Sequence, residues 1–307
     1  MKIFSSLSEF LSWRVAVSSC HRLGFVPTMG ALHDGHVSLI KASLKEADIT
    51  VVSIFVNPKQ FGENEDFNSY PRTFKKDCDV LLSMGVDVLF VPQYEDIYNE
   101  EVKDFSYDIP FSKKLEGNSR PNFFPGVINV VSRLFNIVKP YFSYFGKKDA
   151  QQLILINKMV VAGDFPVKIV PVDTVRESSG LAMSSRNTYL SNAQKVAASK
   201  IYQSLLLAKK LLDDGEIKPR IIKDKIKKYL SADPVISIDY ISIICLNSLK
   251  EVVNKVNSPA LISIAVYIAD VRLIDNFFYE WRSSPMSTFV LWCVNAPIDI
   301  PFTPCKL

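Results

Sequence analysis

His33 and His36 flank Asp34-Gly35 in the stretch Pro27-Thr28-Met29-Gly30-Ala31-Leu32-His33-Asp34-Gly35-His36, and they are two of only three histidines in the 307-residue chain. Imidazoles three residues apart share one face wherever both are helical. Gly30 and Gly35 let main chain approach a ligand with no Cβ in the way. A helix that begins here offers unpaired N–H groups and the positive end of its dipole to an anion. These types and spacings suit the handling of a phosphate. A metal pair fits less well, because no third histidine lies near and no Cys-x-x-Cys completes a site. An ordinary turn with surface histidines is the plainer alternative.

The elements that must position these groups read as an alternation. Leu23 to Val26 is an apolar run of strand type, and Val37 to Leu44 has helical periodicity. The strongly β-branched Ile49 to Val56 is a buried strand that ends in the Pro- and Gly-bearing loop Asn57 to Gly62. A helix over Thr73 to Met84 leads to a third strand, Val86 to Val91. After an irregular, aromatic-rich stretch from Tyr94 to Gly117, a helix over Gly126 to Val138 precedes a strand at Tyr141 to Phe145. Gly146-Lys147-Lys148-Asp149 follows, with Asp149 as N-cap of a helix over Ala150 to Ala162, and then a fifth strand, Val167 to Val175, interrupted by Pro171. Strands alternating with helices predict an α/β fold, a doubly wound parallel sheet whose ligands bind beyond the strands' carboxyl ends. His33, His36, Asn57, Gln60, Lys148 and Asp149 all fall just after a strand, and this agreement strengthens the phosphate reading.

The polar loop Arg176 to Asn187 contains Ser184, Ser185 and Arg186, hydroxyls beside a guanidinium fork that can grip a triphosphate. From Ser191 the character changes. Long helices over Ala193 to Leu212 and Ile221 to Leu230, strands over Ile236 to Cys245 and Ala260 to Ala269, and a short segment Arg272 to Ile274 predict a small α+β domain. The domain boundaries expected are 1–182, 183–276, and an extension over 277–307 that holds Trp281, Trp292 and four prolines.

Composition sets bounds on the class. Hydrophobic content of 48% and charged content of 22% are those of a globular chain. The net charge of +4 fits an anionic ligand, and the basic residues are not gathered into a stripe that would read as nucleic-acid binding. The densest basic run, Lys223 to Lys228, has helical spacing and reads as a solvated face. Five scattered cysteines point to a reducing cytoplasm. The N-terminus lacks the form of a signal peptide, and no apolar run reaches the ~18 residues of a membrane span.

Several stretches, taken together, resemble the pantoate–β-alanine ligase (pantothenate synthetase) family of the His-x-Gly-His nucleotidyl transferases. They are Pro27–His36, Val51–Gly62, Glu65–Thr73, Leu115–Pro121, Phe145–Leu153, Thr174–Asn187 and Arg272–Asn276, in family order. The resemblance implies a Rossmann-like first domain and a smaller α+β lid domain. It implies condensation of D-pantoate with β-alanine through a pantoyl adenylate, with ATP as its Mg²⁺ complex and no tightly bound cofactor or assigned metal site. It also implies a homodimer formed through the first domain, with neither nucleic acid nor membrane as partner.

By position in the family motifs, His36, His33 and Lys148 would be catalytic. Met29, Gly30, His33, His36, Gly146, Lys147, Lys148, Asp149, Val175, Met183, Ser184, Ser185 and Arg186 would bind ATP. Gln60, Gln152 and Asn57 would hold pantoate, and Gln60 also β-alanine. Two positions depart from the pattern. An acid is replaced by Lys147, and a histidine that follows Arg-Pro-x is replaced by Phe123. The alternatives are another transferase of the same group, which Gln60 and Gln152 disfavour because a phosphate acceptor calls for Arg or Lys, and a non-catalytic relative.

Overall fold

The computed structural model describes residues 1–18, 20–63, 65–98, 105 and 109–281. Two compact units divide the chain. Among the described residues, the first runs through Met1–Gly146 and Gln151–Val172, and the second takes Lys147–Ala150 and Asp173–Trp281.

In the first unit, strands β1 (Lys2–Phe4), β2 (Leu23–Thr28), β3 (Ile49–Ile54), β4 (Val88–Phe90), β5 (Phe142–Gly146) and β6 (Lys168–Val172) form one sheet in the order β1-β4-β3-β2-β5-β6. Every pairing is parallel. Its helices are α1 (Leu7–Ala16), α2 (Asp34–Glu46), α3 (Phe74–Ser83), the short α4 (Tyr94–Ile97) and α5 (Glu116–Ser119), α6 (Phe123–Val138) and α7 (Ala150–Ala162). The order reverses direction between β2 and β5, and that is where such sheets take ligands. The central strands are near-continuous apolar runs because both faces are covered. Phe25, Val26, Val51, Val52 and Leu89 are wholly buried. Pro171 is tolerated within β6 because that strand lies at the sheet edge, where a missing N–H need not break a ladder.

The doubly wound sheet is as expected, with local differences. β1 has only three residues and carries no periodicity to detect. Helix α6 starts at Phe123, not Gly126, since Pro125 in a first turn sacrifices an N–H that has no intrahelical partner there. The stretch from Tyr94 to Gly117 includes α4 and a 3₁₀ turn at Pro110–Lys113 and runs into α5, pieces too short to show a period.

The second unit pairs a four-stranded antiparallel sheet with two helices. Strands β7 (Ile236–Cys245), β8 (Lys250–Glu251), β9 (Ala260–Ile268) and β10 (Val271–Tyr279) lie in the order β10-β9-β7-β8. Helices α8 (Asn192–Asp213) and α9 (Pro219–Leu230) pack on it, with Ile201, Leu205, Ile222, Ile226, Ile262 and Ile264 in one apolar core. Helix α8 opens on a reciprocal cap. Ser191 Oγ accepts from Gln194 N at 3.3 Å, and Ser191 N donates to Gln194 Oε1 at 2.8 Å.

The segment expected as a brief Arg272 to Ile274 piece is the nine-residue strand β10. It was obscured because Asp275 and Asn276, which are poor strand formers, sit inside it and are buried. Phe277 to Tyr279 therefore complete β10 and are no part of an extension. The reading of 277–307 as an extension lies from residue 282 on outside the described residues.

Candidate active site

The turn after β2 is held from below by one buried carboxylate. Gly30 has φ +79° and Ala31 φ +50°, so the chain reverses through the left-handed region immediately before α2. Gly30 N donates to Thr28 Oγ1 at 3.1 Å. Asp77, near the start of α3 and almost fully buried, accepts from Ala31 N at 3.0 Å and from Leu32 N at 2.9 Å, and from Thr73 Oγ1. A Cβ on Gly30 would sit 3.1 Å from that same carboxylate. Asp77 was not singled out by the sequence. A lone Asp in a helix first turn reads as a favourable dipole contact, and nothing local shows that it reaches 46 residues back.

The two histidines are not on one helix face. His33 is the N-cap of α2, with extended backbone, and His36 stands in the first turn. They cap the helix reciprocally. Gly35 N donates to His33 Nδ1 at 3.1 Å, and His33 N donates to His36 Nδ1 at 3.3 Å. An imidazole nitrogen that accepts from a backbone N–H carries no proton itself, so each neutral ring carries its proton on Nε2. The ring centroids are 4.1 Å apart. Local sequence thus fixes both tautomers, in a form suited to donating toward an anion at a helix N-terminus.

Beyond β3, the 3₁₀ turn Pro58–Gln60 presents Gln60. Its Nε2 donates to Met29 Sδ at 2.9 Å, and its Oε1 accepts from Asn57 Nδ2 at 3.2 Å. Asn57 is buried and saturated. Its Nδ2 also donates to Gly126 O, and its Oδ1 accepts from Lys59 N and Tyr98 OH. Two N–H groups and two lone pairs of Asn57 thus have partners within the fold, one of them Gln60. Gly126 lets α6 abut this turn, since a Cβ there would lie 2.3 Å from Lys59 O.

Arg120 reaches Gln60 O at 3.4 Å while forking onto Glu65 at 2.6 and 2.5 Å. Its Cζ lies 3.8 Å over the Phe123 ring. Phe123 is thus the platform for this arginine. Consecutive glutamines in α7 differ in use. Gln151 is buried and binds Glu116 N, Phe111 O and Lys114 O, whereas Gln152 is half-buried and its side chain makes no hydrogen bond to the described residues.

In the second unit, Lys147, Lys148 and Asp149 form a 3₁₀ turn, so Asp149 belongs to that turn directly before α7. Lys147 Nζ is 2.6 Å from Asp173 Oδ1, an ion pair with an exposed carboxylate. Lys148 Nζ lies 3.5 Å from Asp149 Oδ1, at the outer limit of a hydrogen bond.

The loop read from sequence over Arg176 to Asn187 is in its first part an ordered reversal, and Val175, read as the end of the fifth strand, lies beyond that strand's last residue, Val172. Met183 N donates to Val175 O at 2.9 Å, Arg176 bridges Ala182, and Gly180 turns the chain at φ +90° against the Tyr202 ring. Ser184 Oγ accepts from Arg186 N at 3.3 Å and caps a 3₁₀ turn over Ser185–Tyr189. Arg176 joins Asp275 by two bonds of 2.6 and 3.0 Å and lies 3.9 Å over Tyr202. A cavity of about 320 Å³ in this unit borders Lys147, Arg176, Tyr202, Lys209 and Asn276. Its three cations are each paired, with Asp173, Asp275 and Asp213, which leaves it poorly suited to a phosphate.

Among the described residues, no group of three or more His, Cys, Asp or Glu could hold a metal ion, and no helix is long and apolar enough to cross a membrane. The structure thus brings Met29, Gly30, His33, His36, Asn57 and Gln60 to neighbouring strand ends of the first sheet, with Gly146 closing β5. Lys147 to Asp149, Val175 and Met183 to Arg186 are gathered in the second unit.

Comparison with known proteins agrees with this arrangement. A family model described as pantoate-β-alanine ligase matches residues 2–278. The pantothenate synthetase of Thermosipho africanus is 47% identical over 277 residues, 90% of this chain and 99% of that protein. That of a Sulfurihydrogenibium species is 48% identical over 256 residues, 83% of this chain and 91% of that protein. The crystal structure of the Thermus thermophilus pantothenate synthetase superposes with a TM-score of 0.84 at 38% identity, covering 90% of this chain and 99% of its own. A pantoate-β-alanine ligase from Francisella tularensis, complexed with β,γ ATP and β-alanine, gives 0.74 at 38% identity, with 90% and 97% covered. With the histidine turn, the glutamines and the sheet order all in place, the chain belongs to the pantoate–β-alanine ligase family.

Proposed function

We propose that this ligase condenses pantoate with β-alanine in two steps at the residues described above. A pantoate carboxylate oxygen attacks the α-phosphorus of ATP, the bond to the β-phosphate breaks, and pyrophosphate leaves. The β-alanine amine then attacks the acyl carbon, the acyl–phosphate bond breaks, AMP leaves and the amine loses a proton. Such transfers depend mainly on positioning and on stabilising developing charge.

The observation that carries the reading is the reciprocally capped pair His33 and His36 at the β2/β5 reversal, both rings fixed as Nε2–H donors. They would bind phosphate oxygens beside the main chain of Met29, Gly30 and Gly146, with His36 as the acid. Gln60, with Met29 and Asn57 fixing its amide, and Gln152 would hold pantoate through hydroxyl and carboxylate, and Gln60 would also meet β-alanine. In the second unit, Lys148 would offset charge at the α-phosphate and Asp149 would hold the ribose. Val175 and Met183 would line the nucleotide, and Ser184, Ser185 and Arg186 would grip pyrophosphate. Lys147, engaged with Asp173, would contact ATP only peripherally. ATP would enter as its Mg²⁺ complex, in the cytoplasm.

Incubation with MgATP, pantoate and β-alanine should release AMP and pantothenate together, and pantoate alone should support exchange of labelled pyrophosphate into ATP. No AMP above a control without pantoate would sink the reading. A homodimer formed through the first unit is also proposed. Sedimentation should then report twice the 34.6 kDa chain mass.

A further inference from the structure

Asp275 and Asn276 are adjacent in β10, and both are buried. Adjacent strand residues point to opposite faces. Leu273 and Tyr279, on the same alternation as Asp275, join the apolar core under α8, so Asn276 faces the other way. On its own face Asp275 receives both arms of Arg176, whose Nη1 also donates to Gly180 O inside the reversal that leads to Met183–Arg186. Asp275 Oδ1 further accepts from Asn276 N at 2.8 Å, which stiffens the pair. On the opposite face Asn276 Nδ2 donates to Lys148 O at 2.7 Å. One dipeptide step therefore grips both segments of this unit that are assigned to the nucleotide.

We infer that Asp275-Asn276 is a positioning device for nucleotide activation, with Asn276 setting the main chain of Lys148 and Asp275 setting, through Arg176, the turn that carries Ser184 to Arg186. The inference rests on the assignment of Lys148 to the α-phosphate. A buried amide donor aimed at that residue's carbonyl restricts where the lysine stem starts. Charge stabilisation in transfer is sensitive to such placement, because a small misplacement lowers the rate even when every reacting group is present.

The test is a double-mutant cycle read by pantoate-dependent pyrophosphate–ATP exchange. Asn276→Ala should lower kcat about tenfold, the loss that goes with one missing hydrogen bond, with KM for pantoate and the thermal midpoint little changed. Asn276→Asp, which keeps the shape but loses the donor, reads the same bond if Asn276→Ala does not fold. Lys148→Ala should be slower by on the order of 10²–10³. In that background Asn276→Ala should cost almost nothing further, because the group it positions is gone. A wild-type rate for Asn276→Ala and Asn276→Asp, or an undiminished tenfold loss in the Lys148→Ala background, would overturn the inference. A near-normal rate for Lys148→Ala would overturn the assignment on which it rests, and the inference with it. The two failures are told apart by which single variant keeps its rate.

Discussion

The two units hold their candidate chemical groups by different means. In the first, a single β-turn-α passage carries both histidines, and a buried acid, Asp77, fixes it by accepting from the main chain of Ala31 and Leu32. In the second, the groups come from stretches far apart in sequence, and a buried acid, Asp275, works through a side chain, the guanidinium of Arg176. A main-chain clamp is indifferent to what the clamped residues are, whereas a side-chain clamp depends on one ion pair. The first arrangement is redundant, with the histidine caps and Thr28 supporting the same turn. In the second, the Arg176–Asp275 pair is the one charged tie, beside the bonds from Met183 N to Val175 O and from Asn276 Nδ2 to Lys148 O.

That contrast can be broken by experiment. Asp275→Asn removes the charge partner of Arg176 from a site where the acid is only 3% exposed, and should cost about 3–5 kcal/mol in urea unfolding, the usual result of leaving one half of a buried pair. A loss below about 1 kcal/mol, the size of a surface pair, would show that this clamp is no weak point. His36→Ala should slow pyrophosphate exchange by on the order of 10²–10³, as for removal of one donor to developing charge. Retention of the rate would remove the first unit's turn from the chemistry.

Asp77→Asn should cost about 1–3 kcal/mol, since one amide oxygen cannot serve the partners of two carboxylate oxygens. Exchange activity should fall with stability, because the same bonds shape the turn. If Asp77→Asn proved more damaging than Asp275→Asn, the comparison would be reversed. Phe123→His should have the smallest effect. A ring that gains charge on acidification would face the Arg120 guanidinium, so its folded-state pKa would be lowered and stability would fall as the pH drops below about 6.5, by about 0.5–1 kcal/mol. Equal acid stability of the two proteins would show that the Arg120 stack contributes nothing.

How much of this was legible follows the same division. The parallel sheet could be read because its strands are buried on both faces and appear as apolar runs such as Ile49 to Val56. His33, His36 and Gln60 could be placed at strand ends because each follows such a run. β10 was read short because two polar residues that are poor strand formers, Asp275 and Asn276, sit inside it. Position after a strand marked Asn57 as a candidate, but it could not reveal that all four of its hydrogen-bonding positions have partners within the fold.

The sequence by itself determined the alternation of strands and helices and the turn with its two histidines, since these depend on residues within a few positions of one another. Only the tertiary structure decided which acids hold the candidate groups in place. Asp77 acts across 46 residues and Asp275 across 99, and a carboxylate's partners at such separations are set by packing that brings distant segments into hydrogen-bond range, which no local pattern encodes.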